Sequence, residues 1–177
     1  MKPLTTVDSA KPNEWVYPYA KITLAREDDP AILGPNLREA DRNEIYAIAN
    51  ISPEEGLNIS VSVSDVCYTV RDVETDEPLA MFGTSPSGGD DVTMAAVWFL
   101  GSDQMFVKNR MSFLRNSKFW VKKLFGEYNI LHNLVDARNT IHIRWLKWLK
   151  FRFIADVAEF GVEKRTFKQF YKRRDDV

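Results

Sequence analysis

Hydrophobic and polar positions divide the chain into segments of clearly different period. Residues through Pro12 are polar and aperiodic, so residues 1–14 read as a flexible N-terminal arm and 15–177 as one folded domain. Trp15 to Leu24 mixes aromatic and β-branched residues and predicts a strand, which Pro18 places at a sheet edge. Asp28, Asp29 and Pro30 break it, and Gly34-Pro35 marks a turn. From Asn36 the period becomes helical, with Leu37, Ala40, Ile45, Ile48 and Ala49 on one face. Ser52-Pro53-Glu54-Glu55 opens a second helix that ends near Ser64: a hydroxyl cap, proline at the first position, then acids at the positive end of the dipole.

Cys67 to Asp72 alternates, residues 74–77 turn, and Pro78 to Gly83 returns as a hairpin partner. Residues 85–91 carry the strongest loop signal in the chain. The continuous apolar run Met94 to Leu100 predicts a strand buried on both faces. Gln104 to Phe125 is the longest helix, Ile130 to Val135 a buried strand, and Asn139 to Leu149 a helix. Phe151 to Phe160 and Arg165 to Tyr171 pair around Gly161. Three antiparallel strands followed by helix-connected strands predict an α/β fold, a mixed central sheet with an antiparallel meander and helices on both faces.

Composition narrows the class. The chain has 177 residues, 45% of them hydrophobic and 12% aromatic, enough apolar surface for a packed core. No apolar run is long enough to span a bilayer, and no apolar region follows Lys2, so no membrane role and an intracellular setting are expected. The single cysteine, Cys67, excludes an internal disulfide and a multi-cysteine zinc site. Asp65 beside it disfavours a thiolate, so the expected role is packing.

The net charge of −1 conceals a segregation. Met1–Asp103 holds 7 basic and 18 acidic residues, a net of −11, whereas Gln104–Val177 holds 17 and 7, a net of +10. Lys108, Arg115 and Lys122 recur every seven positions on the longest helix, and Arg144 and Lys147 follow on the next. They are the candidate interaction residues, for an acidic protein or for nucleic acid bound through the basic half.

Two segments carry a resemblance. Leu131 to Phe151, in which Asn139 opens a helix, is similar to the corresponding strand and helix of the GCN5-related N-acetyltransferases (GNAT). Trp98-Phe99 running into Ser102-Asp103-Gln104, and Asn139-Thr140-Ile141-His142-Ile143-Arg144, resemble the small acetyltransferase-like internal virion protein of short-tailed phages. The resemblance implies a GNAT-like fold and a virion-associated assembly protein working with other phage virion proteins at the internal core or portal region. It would reside in the virion, and in the host cytoplasm during assembly.

Working acetyltransferases cradle the pyrophosphate of acetyl-CoA on a glycine-rich turn at a helix start. Here Met105, Phe106 and Val107 occupy that turn, and Asp103 would repel a phosphate. Leu146 stands where the family's thiolate-protonating tyrosine would be, and Lys150 where its glycine would be. An inactive fold with no cofactor and no catalytic residue is therefore expected. The alternative is an acetyl-CoA-dependent N-acetyltransferase acting on a host or phage target, which would hold its cofactor through Leu100, Gly101, Arg110 and Asn139.

His142 is weighed as a general base against a packed or capping histidine, and His132 as a core histidine. Neither lies in a metal-binding spacing. Trp145 and Trp148, three apart, would share a face, either anchoring the helix to the sheet or forming an interaction surface.

Overall fold

The computed structural model describes residues 13–88 and 93–177, with the side chains of residues 108–110 excepted. The first half runs β1 (Glu14–Val16), β2 (Ala20–Leu24), α1 (Asp29–Leu33), α2 (Glu39–Ala49), α3 (Pro53–Ser62), β3 (Val66–Asp72) and β4 (Pro78–Pro86). The second runs β5 (Met94–Gly101), α4 (Asp103–Leu124), β6 (Ile130–Asp136), α5 (Thr140–Trp148), β7 (Arg152–Phe160) and β8 (Arg165–Arg173). Among the described residues these strands form one eight-stranded sheet, ordered β1-β2-β3-β4-β5-β6-β8-β7.

Every neighbouring pair is antiparallel except β5 and β6. The meander is therefore five strands long rather than three. The segment around Trp15 to Leu24 accounts for the difference. The stretch around Pro18 is a hairpin turn, with Tyr17 N–H donating to the Ala20 carbonyl at 2.7 Å, so one expected strand is two. Both halves of that segment extend the expected three strands, β1 pairing antiparallel with β2 and β2 with β3. Of the expected 85–91 loop, Ser85 and Pro86 belong to β4 and residues 89–92 lie outside the described residues. Of the expected arm, Glu14 is already in β1 and residues 1–12 lie outside the described residues.

Alternation along β4 sorts the helices into two layers. Met81 packs with Leu33, Leu37, Ile45 and Leu57 from the α1–α3 side. Ala80 and Phe82 face the opposite way, onto Trp120, Val121 and Leu124 of α4 and into the cluster that includes Ile143 and Leu146 of α5. Asp28-Asp29-Pro30 does end a strand, but it also starts α1. The fully buried Asp29 carboxylate receives Arg71 Nη2 at 2.5 and 2.7 Å, Thr69 Oγ1 at 2.6 Å and the Arg26 N–H at 2.8 Å.

Local signals set the helix ends. Ser52 Oγ accepts from Glu55 N–H at 3.2 Å and Ser102 Oγ from Met105 N–H at 3.4 Å, capping α3 and α4. At the end of α5, Phe151 N–H reaches the Leu146 carbonyl and Lys150 N–H the Lys147 carbonyl, both at 3.0 Å. That is the Schellman pattern, and it puts Lys150 at φ +66°, a conformation that favours glycine.

Candidate functional site

The two parallel strands pair only from Met94–Ala96 to Ile130–His132 and then diverge. Asn133 Nδ2 donates to the Val97 carbonyl at 3.0 Å at the point of divergence. Beyond it lies a cavity of about 360 Å³ that reaches through the sheet, lined by Trp98, Phe99 and Leu100 of β5, Glu44 and Ile48 of α2, and His142 and Trp145 of α5. This explains why β5, expected to be buried on both faces, is mostly half-buried: its C-terminal half walls the cleft.

At the mouth of the cleft α2 spans the gap. The buried Asp41 carboxylate accepts the Gly101 N–H at 2.9 Å, at the end of β5. One turn further on, Glu44 Oε2 accepts the Asp136 N–H at 3.2 Å, at the end of β6. Arg38 forks onto Asp41 at 2.6 and 3.1 Å and lies over the Phe106 ring at 4.7 Å, while Arg138 forks onto Asp136. Burial raises the Asp41 carboxyl above its ordinary range, with Arg38 and the Gly101 N–H pulling the other way. Burial and the neighbouring Asp41 carboxylate push Glu44 up to about 8, so it is protonated at neutral pH.

His142 also borders the cleft, and burial with the nearby Arg38 charge pushes it down to about 3. A neutral imidazole of such low basicity is a poor general base. Asn139 caps α5, its Oδ1 accepting from His142 N–H at 3.4 Å. Its buried Nδ2, though close enough to Asp41 and Glu44 to help hold their charge, meets no acceptor at hydrogen-bonding geometry.

Three N–H groups around the start of α4 are already engaged. Gly101 N–H is held by Asp41, Ser102 N–H by the Leu79 carbonyl at 2.8 Å, and Met105 N–H by Ser102 Oγ. A pyrophosphate arriving here would meet the carboxylates of Asp41 and Asp103.

Residues 79–158 match the family described as "Bacteriophage T7, probable scaffold protein Gp13". No curated protein sequence matches the chain. Solved structures align over nearly its whole length. The ribosomal-protein-S5-alanine acetyltransferase from Vibrio fischeri has a TM-score of 0.65 at 14% identity, covering 92% of this chain and 97% of that one. A GNAT-family acetyltransferase from Bacillus anthracis gives 0.66 at 9%, covering 92% and 99%. A GCN5-related N-acetyltransferase from Kribbella flavida gives 0.66 at 16%, covering 88% and 98%.

This is the GCN5-related acetyltransferase fold. On it, the chain carries a phage scaffold-family likeness from β4 to β7, the stretch that includes both motifs behind the sequence resemblance.

Leu100 and Gly101 close β5 at the cleft mouth, and Asn139 stands across from them at the start of α5. Arg110 and Lys108 lie on α4, their side chains outside the described residues. Arg115 and Lys122 lie on the exposed face of α4, and Arg144 and Lys147 are exposed on α5. Leu146, in the tyrosine's place, is buried.

Several expectations change. Trp145 and Trp148 do not share an environment: Trp145 packs inward on Phe99 and Phe113 with ring centroids at 5.5 and 5.0 Å, whereas Trp148 is exposed under Lys118. Burial, reinforced by Asp29 rather than Asp65, pushes the Cys67 thiol up to about 12. His132 is half-buried and bonded to Ser87 Oγ at 2.6 Å rather than enclosed in the core. Asp41 and Glu44 were not singled out in the sequence. Their signal was an acid pair spaced i, i+3 beside the apolar Ile45 and Ile48, a place where solvated acids are not expected.

Proposed function

We propose that the chain is a phage assembly protein that works as a structural part, with the acetyltransferase fold retained and acyl transfer lost. It joins other virion proteins, in the internal core or portal region, during assembly in the host cytoplasm, and stays with the particle. The family match supports the phage role. The observation that carries the loss of catalysis is the Asp41 carboxylate on the Gly101 N–H: an internal acid takes a donor where a pyrophosphate would sit. The buried Leu146, which has no proton to give a thiolate, supports the same reading.

One observation favours the alternative of an acetyl-CoA-dependent N-acetyltransferase. The cleft is open, and protonated Glu44 and the unsatisfied Asn139 amide offer it neutral hydrogen-bonding groups. Leu100, Gly101, Arg110 and Asn139 would then hold the cofactor. Thermal unfolding with millimolar acetyl-CoA separates the two. Ligand at 100-fold its dissociation constant stabilises by about 2.7 kcal/mol, a rise in Tm of roughly 5–10 °C for a chain of this size. We expect no shift. A rise of that order, together with transfer of labelled acetyl groups to any acceptor, would overturn the structural reading.

A further inference from the structure

The outer surfaces of α3 and α4 are complementary in charge and apolar content, and they lie on opposite layers of the sheet. Along α4 the exposed positions Val107, Met111, Arg115, Phe119 and Lys122 form one stripe at helical spacing, with Val107 82% and Phe119 51% exposed. Lys118, 5.2 Å over the ring of exposed Trp148, continues the stripe onto α5. Asp103 at the start of α4 is the one acid in the two helices, and α5 has none.

On α3, Glu55, Ile59 and Val63 at its C-terminal cap form an exposed i, i+4, i+8 stripe beside Glu54 and Asn58. A shallow groove runs between Glu54, Glu55 and Ile59. Basic residues that could neutralise these acids are few. No lysine lies between Lys21 and Lys108, and the four arginines there are engaged internally: Arg26 by Asp76, Arg38 by Asp41, Arg42 by the Leu37 carbonyl and Arg71 by Asp29. Neither Glu54 nor Glu55 forms an ion pair among the described residues.

We propose that copies of this chain associate head to tail, the apolar and basic α4–α5 face of one receiving the apolar and acidic α3 face of the next. Within one molecule the two faces cannot meet, because α3 packs on the Met81 side of β4 and α4 on the Ala80 and Phe82 side. The contact is heterologous, so a pair of copies keeps one free face of each kind and the assembly extends until it closes. The exposed Val107, Met111, Phe119 and Trp148 favour a protein surface over the phosphates of a nucleic acid, which offer apolar side chains nothing. The proposal is independent of whether the cleft is catalytic.

The test is sedimentation of the full chain with two charge-reversed variants, Lys118→Glu/Lys122→Glu and Glu54→Lys/Glu55→Lys. All four positions are exposed, and circular dichroism checks that folding is retained. Wild type should form concentration-dependent oligomers at low salt that weaken as salt screens the ion pairs. Each variant alone should lose association by about tenfold or more, as like charges meet. Mixed, the two variants should regain association, since the intact pair of faces and the reversed pair are each opposite in charge. A wild type that stays monomeric at low salt, or variants that associate as wild type does, would overturn the proposal. So would a mixture that remains monomeric, or a basic face that binds duplex DNA while the chain shows no self-association.

Discussion

Glu44→Gln should stabilise the protein at neutral and alkaline pH and leave it nearly unchanged in acid. The folded Glu44 carboxyl titrates at about 8 against an ordinary 4.5, because burial and the Asp41 and Asp136 carboxylates disfavour its charge. An acid whose folded pKa is raised binds its proton more tightly folded than unfolded. Stability is therefore fully present below pH 4.5 and falls as pH rises toward 8. Over that whole interval the linkage amounts to about 5 kcal/mol, at about 1.4 kcal/mol per pH unit. The side chain is partly open to the cleft, and solvent screening reduces the expected loss to roughly 2–3 kcal/mol. Glutamine keeps an oxygen for the Asp136 N–H and has no proton to lose, so its contribution is flat. Urea unfolding of both proteins at about pH 5, 7 and 9 gives the profile. The variant should match wild type at the lowest pH and exceed it progressively above. Parallel profiles across the range would show that Glu44 is ordinarily ionised and that the cleft is wetter than the geometry implies.

Two further substitutions test the frame around the cleft. Asp29→Asn leaves the buried Arg71 guanidinium without its counter-charge and should cost about 3–5 kcal/mol in chemical denaturation, whereas the double change Asp29→Leu/Arg71→Met should cost less. A double variant weaker than the single would contradict it. Lys150→Gly relieves a left-handed lysine at φ +66° and should gain roughly 0.5–1 kcal/mol after the entropy of the unfolded glycine is allowed for, read as a higher denaturation midpoint.

Most elements were legible because they carry a local signature. The Ser52-Pro53 helix start, the Pro78 hairpin return and the Asn139 cap each depend on residues within one turn, and each lies within a few residues of its expected place. Strand pairing was less legible. The split at Pro18 turns on one short backbone bond across a loop, which aromatic and β-branched content does not encode. The exposures of Trp145 and Trp148 depend on where α4 lies, since Phe113 covers one ring and only Lys118 approaches the other. The candidate site was legible as a set of departures at Asp103, Leu146 and Lys150. Its central acids were not, because their partners Gly101 and Asp136 are far along the chain, and a spacing of three on a helix ordinarily marks a solvated face.

The open cleft and the closed phosphate end are two aspects of one arrangement. Strands that diverge leave backbone N–H groups without a ladder partner, and buried donors of that kind must be satisfied by something. A ligand lying between the strands can do so. In this chain α2 supplies the acceptors itself: Asp41 takes the N–H at the end of β5 and Glu44, three residues on, takes the N–H at the end of β6. Arg38 balances the charge that Asp41 brings in, and Glu44, protonated at neutral pH, brings in none. A helix bonded to both strand ends holds them apart without any ligand. The same Asp41 bond occupies the N–H at the end of β5 and places a carboxyl group there. A fold braced in this way has a fixed shape whatever small molecules surround it, the property required of a part that must be recognised by its surface.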